Sequence, residues 1–120
     1  MVTEADVRRV ALSLPGAYEQ ASYGGSPSWR TKPRMFTWVL EDDDALVVWV
    51  ASVEDKEALL ASDPGKFFTT NHYDGHPVVL VHMAAIDIDE LSELIEESWT
   101  HRAPRTLVSE WTRDQDRGVP

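Results

Sequence analysis

The chain has 120 residues, no cysteine and a formal net charge of −10, from 11 basic and 21 acidic side chains. This length fits one domain with its own core, and the lack of cysteine excludes disulfides and thiolate-based catalysis or metal binding. An acidic surface repels nucleic-acid phosphates unless the basic residues gather on one face. No apolar run approaches the ~20 residues that span a bilayer. We therefore expect no membrane partner and, with no secretion signal at residues 1–10, a cytoplasmic protein.

Three helices are predicted, over residues 3–14, 53–62 and 88–102. Each begins at a Thr, Ser or Asp that is followed three residues later by an acidic side chain, as in a capping box. Apolar residues then recur at intervals of three and four, for example Leu91, Ile95 and Trp99. The segment 16–28, which is rich in glycine, is predicted to be a loop. The tail 112–120 has little to bury, so we expect it to be frayed.

Strands are predicted over 28–32, 35–41, 45–51 and 77–82, and residues 67–72 are candidates to pair beside the last of these. The resulting order is α-β-β-β-α-β(β)-α. Strands in hairpins with separate helices predict an α+β fold of two layers, in which helices pack mainly on one face of an antiparallel sheet. We expect a single domain over residues 1–111. Trp38, Trp49 and Trp99 are interpreted as core anchors between the sheet and the helices, and Trp29 and Trp111 as partly exposed.

The order and spacing of several short motifs resemble the MmcQ/YjbR-like family over residues 3–108. The front half has LPGA at 14–17, YG at 23–24, SWR at 28–30 and MF at 35–36. The back half reads FFTTNHYDGHPVVLVHM over 67–83 and AAIDIDELSELIEESWTHRAPRTLV over 84–108. The most specific pieces are Thr69-x-x-His72-Tyr73-Asp74-Gly75 and Trp99-x-x-Arg102-Ala103-Pro104.

The resemblance implies a compact two-layer fold with an antiparallel sheet, similar to that of type III secretion chaperones. It also implies a DNA-binding role through a double-wing arrangement, and no catalytic machinery. The roles of His72, Tyr73, Asp74, Gly75 and Trp99 within the family motifs are not assigned. The chain departs from the family pattern at His76 and His82, where we expect an aromatic and a basic residue.

A short basic stretch without acidic residues, Trp29-Arg-Thr-Lys-Pro-Arg34, is the main candidate for nucleic-acid contact. On a hairpin, Arg30, Lys32 and Arg34 could grip phosphates while Trp29 stacks on a base. The alternative is a solvated edge hairpin, where positive charges deter pairing with another sheet edge. A second basic set at Arg102 and Arg105 flanks the last predicted helix, where Arg102 also suits the helix dipole.

His72, Asp74 and His76 form the one pattern that could suit a metal ion, because imidazole and carboxylate groups are ligands of Zn²⁺ and Fe²⁺. The Asp74-Gly75 pair is a strong turn signal and Pro77 follows, so the turn is expected to point these side chains apart. We therefore predict no metal, no cofactor and no catalytic residue.

Three functions remain open. The first is a non-enzymatic binding domain that contacts DNA weakly and without sequence preference. The second is a module that binds a protein or peptide, with a homodimer as one form of it. The third and weakest is a metal-dependent enzyme that uses His72, Asp74 and His76.

Overall fold

The computed structural model describes residues 1–21, 25–40 and 43–117. The Tyr23-Gly24 motif and the last three residues of the predicted tail lie outside these ranges. The helices are α1 (Glu4–Leu12), α2 (Val53–Ser62), α3 (Ile88–Arg102) and α4 (Arg105–Arg117). The strands are β1 (Tyr18–Ala21), β2 (Pro27–Arg30), β3 (Met35–Leu40), β4 (Ala45–Trp49), β5 (Phe67–Phe68) and β6 (Val78–His82). No helix in the described ranges is long and apolar enough to cross a membrane.

The strands form one antiparallel sheet in the order β1-β2-β3-β4-β6-β5, which confirms the predicted α+β class. Two elements were not predicted. Strand β1 lies in the segment expected to be a loop and pairs with β2 at one edge of the sheet. Helix α4 runs to Arg117 through part of the segment that was expected to be frayed. Pro104 ends one helix and opens the next, since its carbonyl accepts from the Val108 N–H at 3.2 Å.

The main core lies between the sheet and α3, which crosses β3 and β4 and packs beside α1. The side chains of Leu91, Ile95 and Trp99 are fully buried there. Trp99 donates its indole N–H to the Pro15 carbonyl at 3.1 Å, and its ring meets the Trp111 ring edge-on, with centroids 5.4 Å apart. The prediction that Trp99 is a core anchor is confirmed.

A bulge in β3 changes which side chains face the helices. The pairing with β2 skips one residue, so that Trp29 lies opposite Thr37 while Arg30 lies opposite Met35. Phe36 is the extra residue and is buried in the main core. Such a bulge reverses the alternation of side chains between the two faces of the sheet. A prediction that assumes a regular period of two cannot detect this reversal.

The far face of the sheet carries a second apolar cluster, with Ala45, Val47, Val78 and Leu80 at its centre. The side chains that pack around this centre come from strands and from one turn, and are only partly buried: Trp38, Leu40, Trp49, Phe68 and Tyr73. The prediction that Trp38 and Trp49 pack between the sheet and the helices is therefore wrong. Trp38 lies on the opposite face because the bulge at Phe36 shifts the alternation along β3. Trp49 lies there because it alternates regularly with Ala45 and Val47 along β4.

Tyr73 belongs to the loop 69–77, which follows β5 and holds the family motif. The Tyr73 ring lies 6.1 Å from the Trp38 ring and 4.7 Å, edge-on, from the His72 ring. The buried Lys56 of α2 fixes the loop, because its Nζ donates to the Tyr73 carbonyl at 2.6 Å and to the His76 carbonyl at 3.0 Å. Gly75 has a φ of +79°, a left-handed turn conformation that favours glycine.

Candidate anion-binding site at the β2–β3 hairpin

The hairpin between β2 and β3 presents three basic side chains in a tight turn. The Thr31 N–H donates to the Arg34 carbonyl at 2.9 Å, which closes the turn. Lys32 and Arg34 are exposed and Arg30 is half-buried. The predicted hairpin cations are therefore available at the surface, with Arg30 less so than the other two.

Arg102, at the last turn of α3, reaches the base of this hairpin. Its Nε donates to the Met35 carbonyl at 3.2 Å, and its guanidinium lies 4.0 Å above the Trp49 ring. Burial lowers the pKa of Arg102 from its ordinary value, and the nearby charge of Arg34 lowers it further. The guanidinium still stays charged, because its pKa begins far above neutrality. The structure thus brings together Arg34 and Arg102, which are far apart in the sequence.

These cations have no acidic partner among the described residues. The ion pairs there engage Arg8, Arg9 and Lys66, and none engages the hairpin or Arg102. Two guanidinium groups held near each other repel, and an anion between them relieves that repulsion. Guanidinium groups also bind phosphate and carboxylate through paired hydrogen bonds. We call Arg34, Arg102 and Trp49, with the adjacent Arg30 and Lys32, the cation–aromatic cluster.

The predicted role of Trp29 as a base-stacking residue is wrong. Its side chain is fully buried in the main core, and its indole N–H donates to Glu19 Oε1 at 3.1 Å. The guanidinium of Arg8 lies 5.9 Å from its ring. Trp29 is buried because it faces α1 from β2. The sequence predicts a hairpin here but does not determine which face of the sheet the Trp29 side chain lies on.

Trp49 is the aromatic residue that accompanies the cations, and sequence reasoning missed it. It ends β4, distant in sequence from both Arg34 and Arg102, so no local pattern links the three. The motif Trp99-x-x-Arg102 was the one available signal, because it places a cation one turn beyond a core residue. Arg105 is exposed at the start of α4 and makes no ion pair within the described residues.

The histidine pattern does not form a cluster. His72, Asp74 and His76 are all exposed, and no three metal-binding side chains converge anywhere in the described ranges. Asp74 instead acts on Lys56, whose pKa it raises against the larger lowering caused by burial. His82 stacks on Phe68 with ring centroids 4.3 Å apart. The absence of a bound metal stays a prediction.

The fold and the cluster together define a class: a small α+β domain with helices on one face of an antiparallel sheet and basic side chains gathered at one hairpin. The chain belongs to the YjbR family, whose model matches residues 12–101. The uncharacterized proteins Mb2600 of Mycobacterium bovis and Rv2570 of Mycobacterium tuberculosis are each 37% identical to it over 125 residues, covering 90% of this chain and 94% of the relative.

A solved structure has the same fold. The Deinococcus radiodurans protein DR2400, a DUF419 domain, matches with a TM-score of 0.72 over 84% of this chain and 78% of its own. The two sequences are 22% identical, so this likeness supports the fold alone. The names of the family and of these relatives state no activity.

Proposed function

We propose that this YjbR-family protein is a non-enzymatic binding domain that contacts nucleic-acid phosphates through the cation–aromatic cluster. The observation that carries the proposal is the grouping of Arg34 and Arg102, neither of which has an acidic partner within the described part of this chain of net charge −10. In such a chain, basic side chains that lie together are a local exception to the acidic surface. A cytoplasmic location stays a prediction from the sequence.

The charge of the chain sets the strength and character of this binding. The acidic body repels a polyanion at long range, so affinity depends on contacts at the cluster. With Arg30, Lys32, Arg34 and Arg102 each on a phosphate, the slope of log K against log salt is roughly −3.6, since each contact contributes about 0.9. The cluster offers single side chains rather than a recognition helix. Binding is therefore weak and without sequence preference.

The test is a salt titration of a fluorescently labelled DNA duplex, followed by anisotropy. The double variant Lys32→Gln/Arg34→Gln is expected to lower the slope by about 1.8, because two phosphate contacts are lost. The matched control, Arg9→Gln/Arg113→Gln, removes the same charge from exposed positions on α1 and α4 and is expected to leave the slope unchanged. An equal loss in both variants, or nanomolar binding that both retain, contradicts the proposal.

A second candidate function rests on the far face of the sheet. Its half-buried aromatic side chains, Trp38, Trp49, Phe68 and Tyr73, suit a protein surface, since exposed aromatic residues are enriched at interfaces. A homodimer through this face would appear as a concentration-dependent mass in sedimentation equilibrium. A monomer at all concentrations would leave only a different protein or peptide as the partner of this face.

A further inference from the structure

A groove between α2 and α3 is a second candidate binding surface and shares no residue with the cation–aromatic cluster. It consists of two adjoining hollows, of about 290 Å³ and 350 Å³, which share Leu59 and Glu97 in their walls. Their floor is apolar, with Phe67 and Leu94 in the first hollow and Val50 in the second. The groove thus offers apolar surface that side chains from another molecule can cover.

The rim of this groove is acidic. Glu90, Glu93 and Glu97 line it from α3 at intervals of three and four, so they share one face of the helix, and Asp55 lines it from α2. Glu90 is paired with Lys66. The carboxylates of Asp55, Glu93 and Glu97 form no ion pair with any residue in the described ranges. From Glu90 to Glu97 the rim extends about 10 Å along the helix axis.

We infer that this groove binds a basic amphipathic segment of another protein. The apolar side chains of the segment occupy the two hollows, and its Lys or Arg side chains meet the carboxylate rim. Charge complementarity selects this occupant, because an apolar floor within an acidic rim matches a helix that is apolar on one face and basic on its flanks. Each hollow is near or below the smallest volume that small-molecule sites usually have, about 300 Å³. Two adjoining hollows suit successive side chains of a peptide better than one compact ligand.

The probe is a short, fluorescently labelled helical peptide with leucine at every third and fourth position and lysine on its flanks. It is compared with the same peptide carrying glutamate in place of lysine. The lysine peptide is expected to bind and the glutamate peptide to fail. Binding is expected to weaken as the ionic strength approaches about 1 M, where the Debye length falls to ~3 Å. Equal binding of both peptides, or of neither, would overturn the inference.

Two variants locate the binding, each with a matched control. Glu93→Gln/Glu97→Gln is expected to lower the affinity for the lysine peptide by about threefold to tenfold, the effect of losing two exposed charge pairs. Glu57→Gln/Glu110→Gln removes the same charge from exposed positions outside the groove and is expected to change nothing. Ala58→Trp fills the second hollow from its exposed edge, and Ala61→Trp places the same side chain outside the groove.

The outcomes separate a specific site from general attraction. A loss in the groove variants alone supports the inference, with circular dichroism confirming that each variant is folded. Equal losses in the groove and control variants mean that the peptide responds only to the net charge, and this overturns it. Self-association of the unliganded protein that Glu93→Gln/Glu97→Gln abolishes would also overturn it, because the groove would then belong to a second copy. None of these outcomes bears on the cation–aromatic cluster, so the proposed groove and the proposed phosphate-binding function can fail independently of each other.

Discussion

Replacing Ser98 by alanine tests how α3 is joined to the sheet. Strands β3 and β4 pair from Leu40 opposite Ala45 up to Thr37 opposite Val48. The next residues in this register are Phe36 and Trp49, and there the Ser98 hydroxyl lies between the two strands. It accepts from the Trp49 N–H at 2.8 Å and donates to the Phe36 carbonyl. A helix side chain thus replaces one step of the β ladder.

The magnitude follows from the two backbone groups that this hydroxyl serves. Ser98 is fully buried, so water does not readily replace the lost hydroxyl. A buried donor or acceptor left without its partner costs about 1–3 kcal/mol, so the loss of both predicts that Ser98→Ala lowers the free energy of unfolding by about 2–6 kcal/mol. That is a large fraction of the ~5–15 kcal/mol by which domains are stable.

The measurement is urea unfolding followed by tryptophan fluorescence, with amide hydrogen exchange at Trp49 as a local readout. Ser92→Ala is the matched control, since Ser92 lies on the same helix, is half-buried, and its hydroxyl forms no hydrogen bond with another described residue. We expect this control to change stability by less than about 0.5 kcal/mol. If Ser98→Ala costs less than about 1 kcal/mol, or if Trp49 exchange is unchanged, the bridging role of Ser98 is refuted.

Three further substitutions test separate features. Lys56→Met keeps the aliphatic stem but removes the hydrogen bonds to the loop 69–77. We therefore expect the free energy of unfolding in urea to fall by about 1.5–3 kcal/mol and amide exchange in the loop to become faster. Unchanged exchange would contradict this. Burial, and then the charge of Glu93, raises the pKa of Glu96, so ionised Glu96 costs stability as the pH rises through its folded-state pKa. Glu96→Gln should therefore stabilise the protein at pH 7 and have little effect below the unfolded-state pKa, and equal effects in urea melts at both pH values would be inconsistent with this cause. Gly16→Ala should lower the melting temperature by the equivalent of about 1–2 kcal/mol or more, because Gly16 has a φ of +72° and an added Cβ would lie 2.7 Å from Leu107. An unchanged calorimetric transition would show that Leu107 and α4 move aside without a measurable cost.

Local patterns predicted α1, α2 and α3 well, since capping residues and apolar spacing act within a few residues, but they did not predict α4. Helix α2 (Val53–Ser62) and α3 (Ile88–Arg102) have the predicted bounds. Strand β1 was missed because all four of its residues are exposed, so it lacks the apolar alternation that marks a strand. Its position is set by backbone hydrogen bonds to β2, and the side chains of β1 give no indication of that pairing.

The candidate site was only half predictable, because it depends on which distant segments meet. The sequence identified the hairpin cations and Arg102 as two separate basic sets, but their meeting depends on how α3 crosses the sheet. The near-continuous apolar runs of β4 and β6 were a usable signal that both faces of the sheet are covered. That signal would have placed some aromatic residues on the second face before the structure was known.

The place of α3 in the chain has a consequence for synthesis on the ribosome. Its contacts join segments that are far apart in sequence, with a separation of 62 positions from Phe36 to Ser98 and of 84 from Pro15 to Trp99. The strands β1 to β4 therefore leave the ribosome well before the helix that covers them. At ~5–20 residues per second, the 50 residues from Trp49 to Trp99 take about 3–10 s to add. During that interval the apolar face of the unfinished sheet lacks its cover, and exposed apolar surface of this kind makes a nascent chain prone to aggregation.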